Sequence, residues 1–464
     1  MEAATPEDHA GAIVNQIDLR LSEALAHTAQ VTPASFPTFT RYLDPDWIEQ
    51  ALLATGTATL RRRRLPADRV VWLVLGMALL RDRPIVEVVS HLDLALPAPA
   101  GTRTVAPSAV VKARARVGAA PLEWLYHRTA ARWAMTSADA DRWRGLSLWA
   151  VDGTTLRVPD SAENRAHFGG QAAGDRGASG YPSLRLVAVM AVRSHLLLTA
   201  GFGPYAIDER QYAQKMWHEI PDHSLVLLDR LYLQANVLCP LQAGGHDRHW
   251  LIRAKKTSTW KVLERLGRND HLVELTVSRA ARHKDPTLPA SFVARAIRYQ
   301  HKGFRPQTLF TSMIDAKRFP AGEIRALYHE RWEIELGYGE IKTRMLERLE
   351  TIRSKSPAAV AQEVWGLLTA YNLIRLEMER IADEIGVAPL RISFLAALRY
   401  IADEWGWAAI TMSPGAIPRH LADMRDKIRR FLLPPRRPER RYPRAVKIKM
   451  SNYPRKRPER SRAK

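Results

Sequence analysis

Apolar and polar positions change their period twice along the chain, and those changes divide it. Over residues 17–135 the apolar residues recur at helical spacing, broken by connectors with turn chemistry. Pro66 follows Arg61-Arg62-Arg63-Arg64-Leu65 and opens a helix predicted over 67–81. A short helix is predicted over 85–92 after Arg83-Pro84. Ser108 is placed to cap a third over 109–117, whose basic residues are Lys112, Arg114 and Arg116. Short helices with basic faces suit either a helix-turn-helix unit that reads DNA or an all-helical packing unit with solvated arginines.

After Trp143 the period shortens to that of strands. The run 146–151 ends in Asp152-Gly153-Thr154-Thr155, which reads as a turn placing Asp152 at a strand end. Runs 184–192 and 196–202, split by Arg193-Ser194-His195, predict an antiparallel hairpin, and 209–219 a helix. Leu225-Val226-Leu227-Leu228-Asp229 is a buried-strand pattern closing in an acid, followed by a helix over 233–243 and a strand over 250–253. The expected class is α/β, a mixed sheet flanked by helices. Alternation at 271–277, 292–299 and 308–314 makes a strand-rich insertion of about 256–318. Helices are predicted again over 321–349, 357–381, 394–405 and 417–432. The expected regions are 17–135 (helical, DNA-binding), 143–384 (sheet-bearing), 385–434 (helical) and 435–464 (a basic tail). The helices after Ser356 are a candidate interface between protomers.

Composition narrows the function. The chain has 464 residues, 46% hydrophobic and 25% charged, which excludes collagen-like and wholly disordered classes. Its longest apolar run, 70–80, is short of the roughly 20 residues that cross a bilayer, so no membrane is expected as partner. The acidic, non-apolar start predicts no secretory signal, hence a cytoplasmic, nucleoid-associated location. Cys239, the single cysteine, cannot form an internal disulfide or a zinc thiolate cluster and reads as a small buried apolar residue. Lys plus Arg total 70 against 48 Asp plus Glu, a formal +22, which favours a polyanionic partner, with nucleic acid first. Half of that excess lies in residues 435–464, with 13 basic and 2 acidic residues, a segment expected to be disordered without its partner.

The candidate chemistry lies in three acids. At about 100° per residue, Tyr328, Arg331, Glu335 and Lys342 share one helical arc about 60° wide, whereas Glu330, Glu333 and Glu340 point elsewhere. Asp152 and Asp229 each close an apolar strand. With Glu335 they can converge at the strand ends of one sheet and hold two Mg2+ ions, hard cations that prefer oxygen ligands and activate phosphodiester chemistry. Each residue alone has a plainer reading, the aspartates as turn or cap residues and the helical face as ion pairs.

Asp152-Gly153-Thr154-Thr155, Asp229-Arg230-Leu231-Tyr232 and the Tyr-x2-Arg-x3-Glu-x6-Lys array of Tyr328, Arg331, Glu335 and Lys342 closely resemble the DDE transposases of the bacterial insertion-sequence-four family. That array is the family's named signature. The resemblance extends to Trp250-Leu251-Ile252-Arg253, to residues 61–66 and to 112–118, leaving mainly residues 1–16 outside. It implies an RNase H-like core in which Asp152, Asp229 and Glu335 ligate two metal ions, Mg2+ with Mn2+ as substitute. It also implies that Tyr328, Arg331, Lys342 and Arg230 face DNA phosphates. The partners implied are double-stranded DNA, as transposon ends and as target, and a second protomer in a synaptic homodimer. The activity implied is cut-and-paste strand cleavage and transfer at terminal inverted repeats through hairpin ends. The resemblance also implies that an aromatic of the insertion supports a flipped base, with Trp260, Tyr299, Phe304 and Phe310 as candidates, each of which has core packing as its plainer reading. Leu231 departs from the glycine usual there. A catalytically inactive or domesticated DNA-binding protein on the same scaffold is the alternative, with a general RNase H-like nuclease behind it.

Deleting residues 435–464 should remove salt-sensitive, sequence-independent DNA affinity. The check is the slope of log affinity against log salt, which should become shallower.

Overall fold

The computed structural model describes residues 43–58, 64–96, 105–171, 180–300, 305–347, 351–411 and 417–435. Helix predictions within 17–42, the arginines 61–63, Phe304 and the tail after Pro435 lie outside them.

Alternation along the central strands drives the architecture. In β1 (Ser147–Arg157), Leu148 and Ala150 enter one apolar cluster while Trp149 and Val151 enter another on the opposite face. The same division recurs in β2 (Ser183–Ala191) and β4 (Ser224–Leu228), so both faces must be covered. With β3 (Leu197–Pro204), β5 (Arg248–Arg253), β6 (Lys261–Gly267), β7 (Asp270–Thr276), β8 (Ser291–Tyr299) and β9 (Gln307–Thr311), the described residues form one nine-stranded sheet in the order β3-β2-β1-β4-β5-β9-β8-β7-β6. β1 runs parallel to β4, and β4 to β5, while the other pairs are antiparallel.

Helices α1 (Pro45–Ala54), α2 (Ala67–Leu79), α3 (Ile85–His91), α4 (Pro107–Val117) and α5 (Ala120–Ala140) precede the sheet. α6 (Ala162–Phe168), α7 (Glu209–Lys215), α8 (Ala235–Ala243) and α9 (Arg279–Lys284) lie between strands. α10 (Ala321–Leu327), α11 (Trp332–Gly339), α12 (Pro357–Ile385), α13 (Phe394–Thr411) and α14 (Ile417–Arg429) follow. α12 packs against α2, α5 and α13 within its own chain, and most of its residues are buried there. No helix among the described residues is long and apolar enough to cross a membrane.

Several expectations are corrected. β1 does not turn at Asp152 but runs to Arg157, because β2 pairs with it along that whole length; only the pairing with β4 stops at Val151. The strand-rich insertion continues the main sheet, since β9 pairs with β5. Its outer strand β6 was missed because Lys-Val-Leu-Glu-Arg-Leu-Gly hides no face and has no clean alternation. α4 starts at Pro107, whose ring suits the first helical turn, so Ser108 lies inside the helix and caps nothing. Arg114 leaves the predicted basic face for the interior, bonding Gln362 (2.8 Å) and Ser354 (3.0 Å), while Lys112 and Arg116 remain exposed. Cys239 is half-buried.

One buried ion pair joins two strands of the insertion, and its arginine reaches the segment that follows. Arg295 is 1% exposed, grips Asp270 through two bonds (2.8 and 2.6 Å) and donates to the Phe319 carbonyl (2.6 Å). Asp270→Ala strands that cation in the interior and should cost about 3–5 kcal/mol in urea unfolding, whereas the double change Asp270→Leu with Arg295→Met should cost less.

Candidate active site

Parallel register brings the two aspartates together. Ala150 pairs with Leu227 and Val151 with Leu228, so Asp152 and Asp229 take the next level of adjacent strands, which lie about 4.8 Å apart. Asp229 keeps extended backbone there before the 3-10 turn Arg230–Tyr232. Leu231, exposed in that turn, has no left-handed backbone and thus needs no glycine.

The segment predicted as one helix over 321–349 is three kinds of turn in succession. α10 passes into a 3-10 turn at Tyr328–Arg331, then α11, then a wide π-helical turn at Glu340–Met345. Arg331 stands between the acids, donating to Glu335 Oε1 (2.8 Å) and lying 3.9 Å from Asp152 Oδ2. The neighbouring acids point away from this site. Glu330 pairs with Arg193 (3.1 Å), Glu333 with the buried His195 (3.0 Å), and Glu340 with Arg375 and the Tyr371 hydroxyl (2.9 Å). Tyr328 is buried, its hydroxyl directed to the Leu228 carbonyl (3.4 Å) rather than outward, because the 3-10 turn tucks it under the end of β4. Lys342 lies half-buried on the π turn, and Arg230 is exposed beside Asp229.

A fourth carboxylate, absent from the sequence reading, adjoins the group. Glu209, at the start of α7, lies directly over Gly153, where an added Cβ would come within 2.3 Å of it. It accepts from the Tyr232 hydroxyl (2.7 Å) and lies 3.6 Å from Arg185. Gly153 therefore serves this close approach and not a turn. Burial first, then Glu209, push Asp152 up to about 7, with Glu335 adding to the rise and the Gly153 N–H (2.9 Å) and Arg331 opposing it. Burial likewise raises Glu209, with Asp208 and Asp229 contributing. No signal in the sequence marks Glu209, which is one acid of an ordinary helix start.

Of the aromatic candidates, Tyr299 and Phe310 are buried in the core and Trp260 is exposed, edge-on to Phe310 at 5.2 Å. Lys255, also missed, is half-buried near Arg210 and Arg230, and donates to the Leu233 carbonyl (3.2 Å).

The carboxylates are the hard oxygen donors that Mg2+ prefers, and burial together with the neighbouring Glu209 raises Asp152 in spite of Arg331 beside it. Among the described residues, however, no three His, Cys, Asp or Glu side chains stand as a ready-made cation cage. The acids are held in two linked parts, the strand pair and Glu335, with Arg331 between. Chemically the residues fit a divalent cation; the side chains as they stand are arranged around a guanidinium.

Residues 33–127 match the family described as insertion element 4 transposase N-terminal, and residues 143–373 the transposase DDE domain. The transposase InsG for insertion sequence element IS4 of Escherichia coli K12 is 42% identical over 355 residues, 76% of this chain and 79% of that protein. The putative transposase InsZ of the same organism is 40% identical over 232 residues, 50% of this chain and 76% of that protein. A cryo-EM structure of a piggyBac transposase synaptic complex with hairpin DNA shares 7% identity, with 85% of each chain covered and a TM-score of 0.42, too distant a likeness to bear on the fold.

The displacement of Asp152 has a consequence for stability. Its ordinary value is 3.8 and its folded value about 7, so the folded protein holds the proton more tightly than the unfolded chain. The associated stability is intact below about pH 4 and drains away as the pH rises through 7, by on the order of 4 kcal/mol. In chelator-containing buffer Asp152→Asn should resist urea better than the natural chain at pH 8, and the gap should close towards pH 4.

Proposed function

Because the chain belongs to the insertion-element-4 family of DDE transposases, which are nucleotidyl-transfer enzymes, we propose that it cleaves and joins DNA at the terminal inverted repeats of its own insertion sequence. The observation that carries this reading is the meeting of Asp152 and Asp229 by register, with Arg331 linking Asp152 to Glu335. An RNase H-like core is supported by the order β3-β2-β1-β4-β5, with β1, β4 and β5 parallel and β2 and β3 antiparallel.

Asp152, Asp229 and Glu335 would hold two divalent cations, Mg2+ or Mn2+, which supply activation of the attacking oxygen and neutralisation of the leaving one. Arg331 compensates Asp152 and Glu335 in the resting protein and is placed to transfer its charge to a scissile phosphate. Arg230 extends the same positive field beside Asp229, and Lys342 extends it one turn beyond α11. Tyr328 fixes the Leu228 carbonyl before Asp229, and a direct phosphate contact would require its hydroxyl to swing away from that carbonyl. The two cuts at each end proceed through a hairpin, in which the freed 3′-hydroxyl attacks the opposite strand and the same carboxylates serve again. Concerted cutting at two ends calls for two protomers in the synaptic complex.

Purified protein with Mg2+ and the DNA flanking its reading frame should nick at the repeats, hairpin the ends and join them to target. Binding without nicking would mark an inactive scaffold, and equal cutting of unrelated duplexes a general nuclease. Glu335→Ala should lower nicking by roughly a thousandfold or more, about 4 kcal/mol of barrier, while end binding is preserved in a gel-shift titration. Magnesium-dependent cutting at the natural rate would remove Glu335 from the site.

A further inference from the structure

Tyr338 touches the first acid and shares a helix with the third, yet takes no part in the chemistry above. It lies on α11 three residues beyond Glu335 and is 5% exposed. Its hydroxyl accepts from the Ala188 N–H (3.0 Å) and donates to the Asp152 carbonyl (2.7 Å). Asp152 and Ala188 are register partners across β1 and β2, so the phenol lies in the seam between those strands at the level of the first aspartate. The helix can come this close because residue 337 is glycine. A Cβ there would stand 2.8 Å from the Met190 sulfur and 3.1 Å from the Tyr371 hydroxyl.

Three acidic anchors of the segment reach elsewhere. Glu330 ties it to Arg193 and Glu333 to His195, both at the β2–β3 turn, and Glu340 ties it to Arg375 on α12. None of the three reaches Asp152. On its β4 side Asp152 is also past the last paired residues, Val151 and Leu228, so strand pairing holds it from β2 alone. Arg331 approaches the Asp152 carboxylate at 3.9 Å, whereas the buried Tyr338 hydroxyl, bonded to two backbone groups, restrains the main chain of Asp152, and does so from the element that carries Glu335.

We propose that Tyr338 is a positioning residue that sets the separation of the Asp152 and Glu335 carboxylates, and through it the affinity of the site for a divalent cation. The proposal rests on the reading of those carboxylates as cation ligands. Groups that orient ligating side chains without touching the ion commonly change affinity by tenfold or more, and here a single side chain joins the helix that carries Glu335 to the backbone of Asp152.

The test is Mn2+ binding to the full chain without DNA, followed by electron paramagnetic resonance, in the natural protein, Tyr338→Phe, Gly337→Ala and Thr129→Val. Tyr338→Phe keeps the ring and removes the hydroxyl, so Mn2+ affinity should fall about tenfold. Deuterium exchange at the Ala188 amide should quicken with it. Gly337→Ala keeps the hydroxyl but sets a methyl against the buried Met190 sulfur and Tyr371 hydroxyl under this helix, and should weaken Mn2+ in the same direction even if Tyr338→Phe folds poorly. Thr129→Val removes another buried hydroxyl, bonded to the Leu125 carbonyl (2.8 Å) in α5, and should leave Mn2+ affinity unchanged. In end cleavage, the Mg2+ concentration for half-maximal rate should rise in Tyr338→Phe while affinity for end DNA holds. Equal Mn2+ affinity in Tyr338→Phe and the natural chain, or an equal fall in Thr129→Val, overturns this inference alone. A natural chain that takes up no Mn2+ overturns the carboxylate reading and this inference with it.

Discussion

Negative charge brought together by strand register is the constraint on which the rest of this structure depends. Parallel pairing of β1 and β4 sets two aspartates at one level, and Glu209 and Glu335 add further carboxylates beside them. Half-buried carboxylates at such spacing repel, and burial removes the water that would screen them. The chain answers by protonation, through the rise at Asp152, and by compensation, through Arg331, Arg185 and the Tyr232 hydroxyl. A site that buries ionisable groups in this way is less stable than a well-packed apolar one.

The same constraint explains how heavily the Glu335 segment is restrained. A carboxylate among its own kind drifts outward unless its backbone is held, and this segment has an anchor on nearly every turn. Arg193 holds Glu330, His195 holds Glu333, and Arg375 with Tyr371 holds Glu340. His195 makes its contact from left-handed backbone at the β2–β3 turn, a conformation unfavourable for a residue with a side chain. Buried ion pairs of this kind contribute little net stability against well-packed apolar residues, but they define one geometry. Removing either partner leaves an orphaned charge, so the network permits few alternative helix positions.

Much of the site could be read before folding, because its determinants are local. An apolar run ending in an acid marks Asp229 whatever surrounds it, and helical arithmetic separates Glu335 from Glu330, Glu333 and Glu340, whose partners indeed lie elsewhere. What escaped depends on pairing between distant segments. Asp152 looked like a strand end because only its own run was visible; the length of β1 comes from β2, about 35 residues later. Glu209 is set by its approach to Gly153 across the sheet, and β6 is an exposed edge with no periodicity to betray it. Tyr338 was partly legible. The arithmetic that groups Tyr328, Arg331, Glu335 and Lys342 places it about 20° beyond their arc, but an aromatic beside a polar face reads as packing.

Charge shows the limit of composition as a guide to function. The basic excess is real, yet many arginines spend their charge inside the protein. Arg295 holds Asp270, Arg375 holds Glu340, Arg425 holds Glu377, and Arg81 with Arg353 surrounds Glu363. Arg114 is buried against neutral amide and hydroxyl oxygens, and burial lowers its affinity for its proton. None of these can release counterions from DNA, since a cation must reach the phosphate to displace them. The field available to a polyanion therefore comes from side chains that remain at the surface, such as Lys112, Arg116 and Arg230, and a count of basic residues cannot separate the two populations. Arg331 is buried and bonded like the structural arginines, but its partners are Glu335 and Asp152, two carboxylates of the candidate site, instead of an acid held elsewhere in the core.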